Sequence, residues 1–199
     1  RRPPSLYAGF ENICKAMEYN PRMLIGIMNK FIPYAKENGV IPIHQQLSFL
    51  EDTTNSFKAL LSTIAVNGNG ISSPINTVYD LVEKIGRYFA NQISGDDFRA
   101  EPKGSLTFSK AENDSFTEAI GFALNSGAFI AEKGANVDSH DIVDIKKIRC
   151  RMSHIFSHKY GLLLTNARDI DLSEILIASK KNLKSPQITV DMFPDPKII

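Results

Sequence analysis

The stretch DSFTEAIGFALNSGAFIAEKGANVDSHDIVDIKKIRCRMSHIF, Asp114 to Phe156, decides the fold. It opens with helical spacing: Asp114 can cap a helix that carries Phe116, Ala119, Ile120, Ala123 and Leu124 along one stripe. Gly127 falls where a left-handed C-cap belongs, a conformation a residue without Cβ reaches at no steric cost. Beyond it Ala128-Phe129-Ile130-Ala131 reads as a strand, and Gly134 to Asp144 as a polar loop. From Lys147 to Phe156 the period changes to two, with Ile148, Cys150, Met152, His154 and Phe156 on one face, which predicts an antiparallel partner strand.

Helix, strand, long loop and strand is the order in which a winged helix ends. The chain before it is dominated by helical periodicity. Phe10, Ile13, Cys14 and Met17 share a stripe between Gly9 and Tyr19. Asn20-Pro21 restarts the helix, since Asn can cap and Pro at the first helical position loses no needed donor. Met23, Leu24, Ile27, Met28, Phe31 and Ile32 follow at helical spacing, and Pro33 is expected to kink or end the run. Another pattern covers Gln45 to Ile64 through Leu47, Leu50, Phe57, Leu60 and Leu61, and Asn67-Gly68-Asn69-Gly70 punctuates it as a turn. Pro74 is expected to open a helix with Val78, Leu81, Val82, Ile85, Phe89 and Ile93 buried, ending near Gly95; Leu106-Thr107-Phe108 is a short strand candidate. Asp171-Leu172-Ser173-Glu174 offers a capping box before Ile175 and Leu176, so a last helix is expected near the C-terminus. The fold class is mainly α with a small antiparallel β component.

With 199 residues, 43% apolar and 23% charged, the chain can bury a substantial core, which argues against intrinsic disorder. A net charge of +1 exerts no global pull toward nucleic acid or a membrane, so such partners must be read from local charge. Cys14 and Cys150 are too few and too distant for a disulfide framework, and reduced thiols in a cytoplasmic protein are the simpler reading. No apolar run approaches the roughly 18 residues that cross a bilayer, and the N-terminus lacks a signal-peptide pattern. The start at Arg1-Arg2-Pro3-Pro4 without methionine, and the exit through Phe193-Pro194-Asp195-Pro196, suggest part of a longer protein.

Two charge features stand apart from the demands of folding. Arg22 follows the Asn-Pro helix start, where unpaired amides and the positive end of the helix dipole attract anions and a guanidinium can fork onto phosphate oxygens. The alternative is an exposed arginine or salt bridge, at a dipole cost of a few tenths of a kcal/mol. The second feature is the segment from Ile145 to Arg168, which holds Lys146, Lys147, Arg149, Arg151, Lys159 and Arg168 and no acidic residue. On a strand, Arg149 and Arg151 share the face opposite Cys150 and Met152, an arrangement suited to phosphate-backbone contact or to a protein interface.

Asn20-Pro21-Arg22-Met23-Leu24, opening an amphipathic helix after another helix, resembles the sensor-two element of AAA+ ATPases, whose lid arginine faces the nucleotide phosphates. Ser126-Gly127-Ala128-Phe129-Ile130, Arg149 through Phe156, and Tyr160-Gly161-Leu162-Leu163-Leu164 resemble the C-terminal region of bacterial origin-recognition-like ATPases. The resemblance implies a helical lid segment over 1–38, a winged-helix-like region over 39–165, and a C-terminal helix and tail over 166–199. It also implies ATP and Mg2+ in the parent protein, an N-terminal ATPase module as partner, and oligomerisation; DNA or protein contact through Lys146, Lys147, Arg149, Arg151 and Lys159 is the expectation of the charge pattern itself. Relatives of this type occur in bacterial defence, so an antiviral role is an expectation of the resemblance.

The pattern departs from that family in one large respect. No G-x-x-x-x-G-K-[ST] loop occurs, nor an apolar strand ending in paired acids, so no catalytic site is expected in this chain and any nucleotide is held by residues outside it. Cys150, His154 and His158 are spaced by fours, which points one way only on a helix; on a strand they are a buried thiol and polar rim histidines, and no metal is expected. Asp138-Ser139-His140-Asp141 has no nucleophile or oxyanion arrangement beside it and reads as a solvated loop. The competing class is a free-standing winged-helix interaction protein that binds no nucleotide.

Overall fold

A computed structural model describes residues 5–66, 75–108, 114–132, 148–165 and 167–175. Two helices come first, α1 over Phe10–Ala16 and α2 over Pro21–Asn38. Between them Glu18 and Tyr19 adopt left-handed φ values of 57° and 52°, which turns the chain sharply. Ile13, Cys14 and Met17 are buried as the stripe predicts, whereas Phe10, at the first residue of its helix, stands in solvent. Asn20 caps α2, its Oδ1 accepting from Arg22 N at 3.0 Å and Met23 N at 3.5 Å.

Pro33 does not end α2, which runs on to Asn38. The ring removes a donor and leaves the Asn29 carbonyl without its helical partner, but Pro33 and Asn29 are both exposed, so water can take that bond. Aromatic packing holds the helix on either side: Phe31 and Tyr34 lie 5.4 and 5.8 Å, centroid to centroid, from Phe49 on α3 (Ile43–Ser62). Helix α3 buries Leu47, Leu50, Thr54, Phe57 and Leu61. Leu60, expected in that stripe, is exposed, because Phe57 and Leu61 already occupy the core-facing turn.

The next helix, α4 (Val78–Ser94), starts from Thr77 rather than from Pro74, which lies outside the described residues. Thr77 Oγ1 accepts from Asp80 N at 3.2 Å while Asp80 Oδ2 accepts from Thr77 N at 2.9 Å, a reciprocal capping box. Val78, Leu81, Val82, Ile85 and Phe89 are buried along it, and Ile93 is half-buried. The Asn67–Gly70 turn and the Asp138–Asp141 loop also fall outside the described residues.

A four-stranded sheet is formed by β1 (Lys103–Thr107), β2 (Phe129–Ala131), β3 (Cys150–Met152) and β4 (Arg168–Asp171), in the order β2-β3-β1-β4. Strand β3 runs antiparallel to β2 and β1, and β4 lies parallel to β1 at the far edge. Helix α5 (Asp114–Asn125) leads into β2 through Gly127 at φ 77°. The chain is therefore mainly helical with a small sheet compatible with a winged-helix-like fold; β4 makes the sheet mixed.

The strand expected from Lys147 to Phe156 is shorter. Among its described residues Cys150–Met152 alone is strand; His154–Phe156 is a 3-10 turn that continues into α6 (Ser157–Tyr160). Two contacts pull it out of the ladder: Glu18 Oε1 accepts from His154 N at 2.5 Å, and Thr54 Oγ1 donates to Ile155 O at 3.0 Å. Phe156 then stacks on Phe57 at 5.6 Å. At the C-terminal end Asp171 Oδ1 accepts from Ser173 N at 3.0 Å, capping a helix that begins at Leu172, and described residues end at Ile175. One buried apolar cluster extends from Tyr7 to Ile175, with Tyr7 Oη donating to Leu162 O at 2.7 Å.

Candidate functional site

The two sequence features differ in how their charges are used. Arg22 is exposed, and among the described residues its guanidinium has no hydrogen-bond or ion-pair partner. Asn20 has taken the amides of Arg22 and Met23, so the start of α2 offers an anion the guanidinium rather than an open ring of amides. Ile25 and Ile32, 62% and 51% exposed, lie three and ten positions after Arg22 and share its face, with Gly26, Asn29 and Pro33. Ile27 and Phe31 bury the opposite face. Helix α2 thus shows the outside an apolar stripe with a cation at its N-terminal end.

Arg151 is the reverse case. Its Nη1 and Nη2 donate to Glu18 Oε1 and Oε2 at 2.7 and 2.6 Å, a two-pronged pair in which the side chains are 16% and 12% exposed. Burial pushes the Glu18 carboxyl up, but the hydrogen bonds from Arg151 and His154 N, with the Arg151 charge, outweigh it and leave the group below its usual value. The neighbouring His154 imidazole is held below its ordinary value by burial and then by Arg151, against the attraction of Glu18.

Arg149 crosslinks the sheet. Its Nε contacts Glu132 Oε2 at 2.6 Å just beyond β2, and its Nη2 reaches Asp169 Oδ1 on β4 at 2.9 Å. The same Nη2 donates to Ala167 O at 2.9 Å and to Ser105 Oγ on β1 at 3.3 Å. Lys159 donates to the Tyr79 hydroxyl, and its Nζ lies 4.9 Å from the centre of that ring and 5.4 Å from that of Tyr160. Lys58 approaches the Tyr79 ring at 4.9 Å as well. Lys146 and Lys147 lie outside the described residues.

The four-residue spacing of Cys150, His154 and His158 brings no shared metal pocket. Cys150 is a free, buried thiol pushed up by burial and then by Glu132, against the pull of Arg151. His158 packs edge-on to the Tyr7 ring at 6.3 Å and is pushed down by burial. Among the described residues no three His, Cys, Asp or Glu side chains are grouped to hold a metal ion. No described helix is long and apolar enough to cross a membrane.

Sequence reasoning missed Glu18, Glu132 and Asp169. One signal was available: a run of cations with no acid between Ile145 and Arg168 must find its carboxylates elsewhere if it is to be buried, and Glu18 stands beside the Asn-Pro helix start. These features define a class, a helical pair with an exposed arginine at a helix start, joined to a winged-helix-like sheet. A family model described as ORC-CDC6-like matches residues 1–172, and the chain belongs to the ORC-CDC6-like family. Comparison with curated proteins and with solved structures found no match. The family relates the chain to AAA+ ATPases, a class that uses nucleotide and Mg2+. The residues of this chain do not fit that pair by themselves: the sequence holds no phosphate-cradling loop, and the described residues hold no cation cage.

Proposed function

We propose that the chain is the lid and winged-helix portion of an AAA+ ATPase, in which Arg22 contacts the phosphates of ATP and moves the lid with the state of the nucleotide. The observation that carries this reading is Arg22 itself: exposed, placed on a capped helix start, and without a partner among the described residues. The sensor-two resemblance of Asn20-Pro21-Arg22 and the family membership support it. An ATPase module is the partner proposed for the apolar stripe beside Arg22; a defence-related setting follows from the resemblance, and a cytoplasmic one from the free thiols of Cys14 and Cys150. The test is titration of the full-length protein with ATP and with ADP. Arg22→Ala is expected to weaken ATP by roughly tenfold or more, as for loss of a charge-assisted hydrogen bond, and ADP by less. Unchanged ATP affinity and turnover would refute the sensor role and favour a winged-helix interaction protein.

Contact with DNA or a partner protein is proposed for Lys159 together with Lys146 and Lys147. Support comes from the cations that gather around the Tyr79 ring, the exposed Lys159 and the half-buried Lys58. Arg149 and Arg151, already engaged by carboxylates inside the chain, are left out of this contact. Duplex binding that weakens steeply with salt, and weakens again with Lys159→Glu, would support it; binding indifferent to both would count against it.

A further inference from the structure

The corner that precedes Arg22 carries an unusual constraint. Glu18 and Tyr19 are both non-glycine residues in the left-handed region, a conformation that persists where the surroundings over-determine it. Backbone bonds supply part of that determination, Glu18 N to Lys15 O, Tyr19 N to Cys14 O and Asn20 N to Met17 O, each 2.9 Å. The rest comes from across the fold. The Glu18 carboxylate accepts three bonds, two from Arg151 on β3 and one from His154 N just beyond it, while the Tyr19 side chain is exposed. The next residue, Asn20, caps α2, and Arg22 follows within the first turn.

Arg22 has no side-chain partner of its own among the described residues, so its placement is set by the start of α2, and that start by the Glu18 corner. A buried ion pair is a poor way to gain stability, because an apolar pair of similar volume does as well without desolvating two charges. What the fork adds is direction: two parallel bonds fix the orientation of the carboxylate, and with it the corner, relative to the sheet.

The geometry points to Arg151 as a positioning residue for Arg22: through its fork onto Glu18 it holds the corner from which α2 starts, and so lets the sheet set the aim of the nucleotide-facing arginine. This rests on the sensor role proposed for Arg22. It adds a route by which anything that shifts β3, such as a partner bound to the winged-helix-like part, would alter the preference for ATP over ADP.

The test uses the full-length protein and the ratio of its dissociation constants for ADP and ATP, with thermal melting as a parallel readout. Arg151→Lys keeps the charge and loses the fork. It is expected to lower the preference for ATP by about fivefold or more. Adding it to Arg22→Ala should then lower the preference no further, because both act through one contact. If Arg151→Lys fails to fold, Glu18→Gln with Arg151→Met removes both charges together and should show the same loss. An unchanged ratio in the Arg151 variants, alongside an impaired Arg22→Ala, would overturn the positioning role alone. Losses that add in the double variant would also overturn it. An unchanged ratio in Arg22→Ala would instead sink the sensor reading on which the proposal stands.

Discussion

Replacing Arg151 with methionine should cost about 3 kcal/mol of folding stability, and the structure says where that cost comes from. The variant leaves the Glu18 carboxylate, 12% exposed, with the single bond from His154 N where it had three. Stranding one member of a buried pair costs about 3–5 kcal/mol, and the residual exposure of both side chains puts this one at the low end. For a chain of this size each kcal/mol moves the melting temperature by roughly 2–4 °C, so a fall of about 6–12 °C is expected. Adding Glu18→Gln should recover more than half of it. The amide removes the stranded charge and still offers Oε1 to His154 N, leaving a deficit of about 1 kcal/mol for the lost bonds. Thermal melts and urea titrations of the wild type, both single variants and the double close the cycle. A double variant no more stable than Arg151→Met would refute the reasoning, since the loss would then come from packing of the arginine stem rather than from an uncompensated charge.

Acidification should destabilise the protein in two steps. His154 and His158 are held below their ordinary value, so the unfolded chain takes protons first as pH falls below about 6.5, and stability present above that range declines. The depressed Glu18 carboxyl adds a loss of the same sign as pH falls through the carboxylate range; melting temperatures that rose between pH 7 and pH 4 would contradict both assignments. Gly86→Ala should cost about 1–3 kcal/mol in a urea titration, because a Cβ there would overlap one edge of the buried Tyr160 ring, 2.6 Å from its Cδ2 and Cζ; a variant as stable as the wild type would place that ring elsewhere.

The helices were legible in the sequence because burial on one face imposes a period of 3.6, and that signal survives whatever the helix packs against. Their ends were less so: Pro74 looked like a start, but the reciprocal bonds of Thr77 and Asp80 decide it. Strand β3 lost its second half for a reason no period can show, since Ile155 and Phe156 are claimed by Thr54 and Phe57 on α3. Strand β4 is four residues long, with its first two exposed, and its parallel pairing to β1 depends on a partner far away in sequence. Local pattern carries little information about such pairings.

The same limit separates the two arginines that the sequence put forward as site residues. Both were conspicuous for one reason, a cation where folding did not require one. Residue type and spacing cannot tell an arginine free for a ligand from one that has found a carboxylate 133 residues away. Burial makes the distinction: a guanidinium taken from water must be paired inside the chain, as Arg151 is, whereas one left in water needs no such pair, and Arg22 is exposed with none among the described residues. The pairing also joins the two, because the carboxylate that satisfies Arg151 belongs to the corner that carries Arg22. A long-range charge partner for one candidate thus becomes the structural support of the other, and substitutions at Arg151 and Glu18 should be read for their effect on Arg22 before any effect on DNA is assigned to them.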